Sequence, residues 1–168
     1  MWGRAVSSEF ERTVLPHMDA AYNLARWLVR DPTLAQDVTQ DALLRALRFF
    51  PEWRGGSVRG WLMRIVRNVA YDTLRDRGRD DGEEALAELA DPAPGPEREA
   101  TARIVIESVA HTLEALPTQL RECLVLREIE GLSYKEIAEV AGVPIGTVMS
   151  RLWRARQSMR AMLVDAAP

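Results

Sequence analysis

The sequence predicts an all-α fold in which two small helical domains are joined by a flexible acidic linker, the second domain containing a helix-turn-helix. Three observations support this prediction. Apolar residues recur at three- and four-residue spacing, helix-capping signals precede several of these stretches, and an acidic segment rich in proline and glycine interrupts the periodicity. We therefore expect a first domain over residues 1–79, a linker over residues 80–99 and a second domain over residues 100–168.

The first domain opens with two predicted helices. Ser8 and Glu11 have the spacing of a capping box and predict the start of the first helix, which Pro16 breaks or kinks. Asp31 followed by Pro32 supplies an N-cap and a first-turn proline for the second helix. The buried stripe of that second helix is expected to consist of Leu34, Val38, Ala42, Leu43 and Leu47.

A third helix follows the loop of sequence PEWRGGS, and Ser57 is placed to cap it. Its predicted apolar stripe consists of Val58, Leu62, Ile65, Val66, Val69 and Leu74. The residues left outside this stripe combine cationic, amide and aromatic side chains: Arg64, Arg67, Asn68, Tyr71 and Arg75, with Trp61 at the edge. Such a face suits single-stranded nucleic acid, because unpaired bases need stacking surface and their backbone needs cations.

The tryptophans near this face allow different interpretations. A position in the core explains Trp61 at least as well as base stacking does. Trp53 lies beside Arg54 in the glycine-rich loop, where a partly exposed tryptophan can support a pocket for an extruded base.

The linker is marked by a reversal of charge. Six arginines and two acids lie between Arg59 and Arg79, whereas eight acids and one base lie between Asp80 and Glu99. The acidic stretch also contains three prolines and two glycines and lacks the periodicity of a packed element. A solubilising tether explains this composition as well as a specific role does.

The helix-turn-helix is predicted over residues 133–160. Ser133 and Glu136 form a capping box for its first helix, Gly142 ends that helix, and Pro144 suits the first turn of the next. The second helix packs through Ile145, Val148, Leu152, Ala155 and Met159. Its opposite face is polar and basic: Thr147, Ser150, Arg151, Arg154 and Gln157, flanked by Arg156 and Arg160.

The charge of the second helix favours contact with DNA. No acidic residue occurs from Ile145 to Val164, and an arginine can pair bidentately with guanine or bind phosphate. An ordinary solvated helix face is the alternative. The whole chain has a formal net charge of -3, so we expect weak affinity for DNA on its own and dependence on a larger partner.

Other features exclude several classes of protein. The single cysteine, Cys123, lies in an apolar pattern and is expected to be a buried thiol. The sequence also lacks a signal peptide and a long apolar run, and together these features favour the cytoplasm. His17 and His111 have no ligand cluster around them, and no phosphate loop or nucleophile motif occurs. We expect no catalytic residue, metal site, cofactor, small-molecule substrate or membrane insertion, and an enzyme is unexpected.

Three blocks in fixed order resemble the extracytoplasmic-function, or group 4, RNA polymerase sigma factors of the sigma-70 family. The blocks read AQDVTQDALLRAL, FFPEWRGGSVRGWLMRIVRNVAYDTLR and LPTQLRECLVLREIEGLSYKEIAEVAGVPIGTVMSRLWRAR. A helix-turn-helix alone occurs in many repressors and response regulators, but those lack the first two blocks. The resemblance extends from about Phe10 to Leu163.

The resemblance implies three binding surfaces and a mechanism. The first domain would dock on the clamp of bacterial core RNA polymerase through Asp37, Gln40, Asp41, Leu44 and Arg45. Unpaired bases of the minus-10 promoter element would be bound by Trp53, Arg54, Ser57, Trp61, Arg64, Arg67, Asn68, Tyr71 and Arg75. Duplex DNA of the minus-35 element would be read by Thr147, Ser150, Arg151, Trp153, Arg154 and Arg156.

The resemblance also implies regulation by a separate anti-sigma factor and passage of the linker through the polymerase. Two departures from the family pattern limit the transfer of promoter preference. Gln40-Asp41 stands where Gln-Glu is usual, and Met149 stands where a basic residue is frequent. Two rival functions remain open at this point: a conventional helix-turn-helix regulator that binds duplex DNA without polymerase, and a helical protein-interaction module.

Overall fold

The computed structural model describes residues 2–80 and 97–165, and within these ranges every regular element is helical. The α-helices are α1 (Trp2–Val14), α2 (Met18–Val29), α3 (Pro32–Phe49), α4 (Val58–Asp80), α5 (Glu97–Ala115), α6 (Thr118–Leu124), α7 (Tyr134–Ala141) and α8 (Ile145–Asp165). Short 3-10 turns cover Leu15–His17 and Phe50–Glu52, and a π-helical turn covers Val125–Ile129. The predicted all-α fold is confirmed, whereas most of the predicted linker lies outside the described residues.

The first helix begins earlier than the sequence predicts. α1 extends from Trp2, so Ser8 lies inside the helix and does not cap it. The apolar spacing continues upstream from Phe10 to the half-buried Val6, which explains why the helix is longer. The predicted break is confirmed, because the 3-10 turn Leu15–His17 contains Pro16 and separates α1 from α2.

The start of α3 is confirmed and its buried face is corrected. The Asp31 side chain accepts a hydrogen bond of 3.0 Å from the backbone N–H of Leu34. Leu47 is 42% exposed, contrary to prediction. The buried face instead uses the small residues Ala35 and Ala46, which let the backbone of α3 approach its neighbours closely.

Helices α2, α3 and α4 pack against one another and form most of the first core. The Ser57 hydroxyl accepts a hydrogen bond of 3.0 Å from the backbone N–H of Gly60, which confirms the predicted cap of α4. Met63 and Ala70 are fully buried on α4 in addition to three residues of the predicted stripe, Leu62, Val66 and Val69. The other predicted residues of this stripe are half-buried.

The second half packs α6, α7 and α8 together. Ser133 caps α7 by accepting a hydrogen bond of 3.1 Å from the backbone N–H of Glu136, and Gly142 ends it in the left-handed conformation with φ 67°. Both predictions are confirmed, as is the burial of Cys123. Ile145 is 44% exposed, so its predicted burial is wrong. It is the first residue of α8 and directly follows the turn.

The two halves are in contact through α4 with α7 and α2 with α6. Arg121 of α6 is 2% exposed, and its guanidinium donates hydrogen bonds to the carbonyl oxygens of Trp27 at 2.7 Å and Leu28 at 3.3 Å. Arg30, which follows α2 with φ 59°, donates to the carbonyl of Glu114 at 3.2 Å. Arg121 thus stabilises the last turn of α2, and Arg30 stabilises the last turn of α5, so each half supplies a cation to a helix end of the other half.

Among the helices described, none combines the length and apolarity required to cross a membrane. The residues described also contain no group of three or more histidine, cysteine, aspartate or glutamate side chains arranged to hold a metal ion.

Candidate nucleic-acid interface

Four aromatic rings support the loop between α3 and α4. Phe50 is buried and stacks on Trp53 with centroids 5.9 Å apart and an interplanar angle of 16°. Phe10 meets the edge of Phe50 at 5.5 Å, and Trp61 lies 6.3 Å from Trp53. Trp53 and Trp61 are each half-buried, so one part of each indole anchors the loop and another part faces solvent.

A cavity of about 230 Å³ opens beside these tryptophans. The loop lines it with Gly55 at φ 94° and Gly56 at φ 88°, backbone angles that glycine adopts without strain. Its lining also includes Ser57, Gly60, Arg64 and, from α7 of the other half, Glu136 and Glu139. The cavity combines aromatic surface with a cation, as an unpaired base requires, but two carboxylates form part of its wall.

Two residues of the predicted minus-10 face are bonded to the second half of the chain. Arg67 Nε donates to Glu122 Oε1 at 2.7 Å, and the Tyr71 hydroxyl donates to Glu122 Oε2 at 2.7 Å. The guanidinium of Arg67 also lies over the ring of Tyr71, 4.0 Å from its centroid. Both oxygens of the buried Glu122 carboxylate therefore have partners on α4.

This cluster shifts the ionisation of its members. Burial raises the pKa of Tyr71, and the charge of Glu122 raises it further. Burial alone would lower the pKa of Arg67, but the neighbouring Glu122 carboxylate outweighs it, so that this pKa is raised. Arg67 therefore stays cationic and Tyr71 stays a neutral donor at physiological pH.

The other predicted minus-10 residues are more accessible. Arg64, Asn68 and Arg75 are exposed on α4, with Arg75 lying 3.6 Å from Asp72. Arg54 is exposed in the loop and donates to the carbonyl of Pro51 at 2.9 Å. The first half thus presents an arginine-rich surface beside the tryptophan cavity.

The predicted minus-35 face occupies the outer side of α8. Trp153 is 64% exposed and Met149 is 53% exposed, and Ser150 and Arg154 are also exposed. Thr147 is half-buried near the start of the helix. A flat indole, a hydroxyl and a guanidinium on one exposed face have the chemistry needed to contact base edges and phosphates.

Arg151 and Arg156 are placed differently from Arg154. Arg151 is half-buried, and its Nη1 is a buried atom with no hydrogen-bond partner among the described residues. Arg156 is exposed but donates to Glu128 Oε1 at 2.8 Å, and this bond contributes to raising its pKa. Their proposed DNA contacts stay predictions.

The predicted polymerase-binding residues share the exposed side of α3. Leu44 is 62% exposed, and Asp37 and Gln40 are also exposed. Arg45 Nη2 lies 3.1 Å from Asp41 and its Nη1 lies 3.8 Å from Asp72 of α4. An exposed leucine surrounded by charged side chains is typical of a protein-binding surface.

Sequence reasoning missed the residues that join the two halves. Glu122 and Arg121 lie within the apolar pattern of α6, where lone charged residues were passed over, and both are buried. A buried charge requires a partner, so a charged residue within an apolar stripe is the signal that could have indicated a contact with another part of the chain. Their partners lie far away in sequence, so the spacing of residues along α6 does not identify them.

The chain matches two family models in the order of its two halves. Residues 13–80 match sigma-70 region 2 and residues 106–159 match sigma-70 region 4. The ECF RNA polymerase sigma factor SigE of Mycolicibacterium smegmatis is 38% identical over 161 residues, covering 94% of this chain. The chain spans 62% of the length of that relative. The RNA polymerase sigma-H factor of Pseudomonas aeruginosa is 39% identical, with 89% of this chain and 83% of the relative covered.

Two solved structures have a similar fold. The sigma factor RpoE of Bartonella quintana, in complex with the anti-sigma factor NepR, gives a TM-score of 0.77 at 27% identity, covering 95% of this chain and 99% of that one. CnrH, in complex with the cytosolic domain of CnrY, gives a TM-score of 0.69 at 28% identity, covering 98% and 91%. With both region models and these two relatives in agreement, this chain belongs to the extracytoplasmic-function sigma factors of the sigma-70 family.

Proposed function

We propose that this chain is an alternative sigma factor that binds core RNA polymerase and directs promoter recognition, melting and transcription initiation. The observation that carries the proposal is the presence on one chain of two different surfaces whose chemistry suits DNA. One combines arginines with a tryptophan-lined cavity, and the other is the exposed face of a helix-turn-helix. A conventional regulator of duplex DNA needs only the second surface.

The surface on α4 and the preceding loop is proposed to bind the unpaired non-template strand of the minus-10 element. Trp53 and Trp61 offer ring surface at the cavity, and Arg64 offers a cation at its rim. Unstacking a base costs about a few kcal/mol per step, which stacking in a pocket offsets in part. Capture of one flipped base would therefore favour melting at promoters that present a matching base.

The outer face of α8 is proposed to lie in the major groove of the minus-35 element. Arg154 and Trp153 are large exposed side chains on this face, and α7 would cross the DNA backbone. Loss of one good bidentate base contact costs about 1 to 3 kcal/mol. Met149 offers no charge to phosphate at its exposed position, so promoter preference is expected to differ from relatives with a basic residue there.

The exposed side of α3 is proposed to dock on core RNA polymerase. Leu44 supplies apolar surface, and the exposed Asp37 and Gln40 supply polar contacts. Polymerase would then contribute most of the attraction to DNA, which a chain of net charge -3 does not supply by itself. The acidic linker is proposed to pass through a basic channel of the polymerase, and its residues 81–96 lie outside the described structure.

A separate anti-sigma factor is proposed as the regulator. Two relatives of similar fold were solved in complex with another protein, named as the anti-sigma factor NepR in one of them. The middle of α5 leaves Ile104, Val105 and Ile106 more than half exposed, and such apolar surface suits a protein partner.

Abortive initiation by bacterial core RNA polymerase tests the proposal. The polymerase is assayed with and without the chain on a library of promoter fragments at one fixed salt concentration. Initiation that depends on the chain and selects shared minus-35 and minus-10 sequences is the expected result. Tight binding of duplex DNA by the chain alone, without any initiation, would make it a conventional regulator.

Variants assign the two surfaces. Arg154→Ala should weaken selection at the minus-35 element, whereas Arg160→Ala, an exposed arginine further along the same helix, is the control and should change it little. Trp53→Ala should reduce melting without altering minus-35 selection. Equal effects of both arginine substitutions would contradict a specific role for Arg154.

A further inference from the structure

We infer that Phe10 of α1 is a positioning residue for base capture at the minus-10 element, because it holds the Trp53 indole at the tryptophan cavity through the ring of Phe50. These three rings run without a gap from the buried face of α1 to the cavity, and we call them the aromatic chain. The inference rests on the proposed function, since it assumes that the cavity binds an unpaired base.

The geometry of the aromatic chain fixes each ring against the next. Phe10 and Phe50 are 7% and 6% exposed, and the edge of one meets the face of the other at 5.5 Å with an interplanar angle of 85°. Phe50 stacks in turn on Trp53 at 5.9 Å and 16°. Edge-to-face and stacked arrangements are the two that aromatic quadrupoles favour. Each ring therefore constrains the orientation of its neighbour as well as filling space.

The backbone adds a second connection between Phe50 and Trp53. Phe50 opens the 3-10 turn that follows α3, and the backbone N–H of Trp53 donates to the Phe50 carbonyl at 3.0 Å. Trp53 is thus tied to Phe50 both through its ring and through its main chain. A shift of the Phe50 ring changes the position at which the Trp53 indole meets the cavity.

The rest of the loop provides little support of its own. Apart from chain neighbours, no heavy atom of the described residues lies within 4 Å of the position that a β-carbon would occupy at Gly55 or Gly56. Glycine also gives the backbone its greatest freedom. Trp61, by contrast, belongs to α4, where its N–H donates to the Ser57 carbonyl at 3.0 Å. Of the two tryptophans, Trp53 is the one whose placement depends on the aromatic chain.

Placing the indole in advance should favour capture of a base. A ring that is free to move must be ordered when the base binds, and that ordering weakens binding. One aromatic pair changes an equilibrium by roughly two- to tenfold. Phe10 should therefore affect the affinity for an unpaired base by about this factor, although it lies one ring behind Trp53. Recognition of the minus-35 duplex should not depend on it.

The test uses the full chain bound to core RNA polymerase. Its probe is a labelled fork-junction fragment of a promoter selected by abortive initiation, with a duplex minus-35 element and a single-stranded non-template minus-10 element. Abasic sites are placed in turn along that strand, and the position most sensitive in the unmodified chain is retained. Base preference is the ratio of the affinity for the intact fragment to that for the abasic one, measured by fluorescence anisotropy at one fixed salt concentration.

Phe10→Leu retains an apolar side chain and removes the ring edge, so we expect it to lower the base preference roughly two- to tenfold. Val14→Ala is the control, because Val14 is fully buried one turn later on α1 and its truncation also destabilises the fold. Lost stability weakens binding of the intact and abasic fragments alike and leaves their ratio unchanged. An unchanged ratio in Phe10→Leu, or an equal fall in Val14→Ala, would overturn the inference.

Circular dichroism establishes that each variant keeps its helices. If Phe10→Leu loses helix content, Phe10→Met takes its place, because methionine also removes the ring and fills irregular space in a core. The expected fall in base preference and the results that contradict it are the same for this variant.

A double substitution tests whether Phe10 acts through Trp53. In a Trp53→Ala chain, adding Phe10→Leu should lower the base preference no further, because the two residues act in series. Full additivity would contradict the aromatic chain. A base preference that is present in the unmodified chain and survives Phe10→Leu defeats this inference alone. No base preference at any position of the unmodified chain defeats the proposed base capture, and the inference with it.

Discussion

Replacing Arg121 with methionine should destabilise the protein more than any comparable change at a surface arginine. The side chain is 2% exposed and bridges the two halves. Its guanidinium donates to four backbone carbonyls, those of Trp27, Leu28, Glu114 and Leu116, at distances from 2.6 to 3.3 Å. Methionine retains much of the apolar stem and removes every one of these donors.

Two effects of opposite sign set the magnitude of the loss. Hydrogen bonds to a charged donor contribute about 1.5 to 3 kcal/mol each. The carbonyls that would lose the guanidinium lie at helix ends, where no backbone N–H of the helix replaces that donor. Burial also lowers the pKa of Arg121 to about 10, which indicates that its charge is held there at a cost that methionine relieves. We expect a net loss of about 2 to 4 kcal/mol in the free energy of unfolding.

Urea denaturation followed by far-ultraviolet circular dichroism at pH 7 measures this loss. Arg127→Met is the control, because Arg127 donates one bond, to the Leu132 carbonyl at 2.9 Å, and lies over the ring of Tyr134 within the same half. Its loss should be about 1 kcal/mol. A loss for Arg121→Met below about 1 kcal/mol, or equal to the control, would refute the reasoning that this residue joins the halves.

Three further predictions concern single side chains. The hydrogen bond that Asp31 accepts from the Leu34 amide holds the pKa of the Asp31 carboxyl below its ordinary value. The ionised carboxylate therefore stabilises the fold fully above about pH 3.8, and this stabilisation is lost as the pH falls through the lowered pKa. Asp31→Ala should thus cost about 1 kcal/mol at pH 7 and less at pH 3, whereas Asp31→Asn should cost little at either pH; a pH-independent loss for Asp31→Ala would contradict this. Burial, together with the charge of Glu122, raises the pKa of the Cys123 thiol to about 11, so alkylation by iodoacetamide at pH 8 should be at least roughly a hundredfold slower in the folded protein than in urea; comparable rates would show that the thiol is accessible. Arg154→Ala should weaken minus-35 binding of the polymerase holoenzyme by about 1 to 3 kcal/mol in a competition assay, with Arg160→Ala as the reference. An equal loss of affinity for all DNA sequences would indicate that Arg154 contacts only phosphate.

Local signals predicted the helices of this protein well because they act within one or two turns. The Asp31 and Ser133 caps each bond an amide three residues ahead, and Gly142 ends α7 through its own backbone angle. Ser8 misled the prediction because the same serine and glutamate spacing also occurs inside a continuous helix. Leu47 misled it because helix packing here favours small side chains over the most apolar ones.

The candidate site was predicted in part for the same reason. The residue types of α4 and the loop indicated a surface for unpaired bases, and the structure brings Trp53, Trp61 and Arg64 around one cavity. The pattern did not reveal that Arg67 and Tyr71 are bonded to Glu122. Spacing along a helix reports which residues share a face and carries no information about what covers it.

The sequence by itself therefore determined the helical class, the caps, the helix-turn-helix and the family, since these depend on neighbouring residues and on motif order. Tertiary structure alone decided how the two halves meet. Glu122 lies 51 and 55 positions from its partners Tyr71 and Arg67, and Arg121 lies 94 and 93 positions from the carbonyls of Trp27 and Leu28. Burying these charges is favourable only when each finds its partner, and that depends on the packing of whole helices.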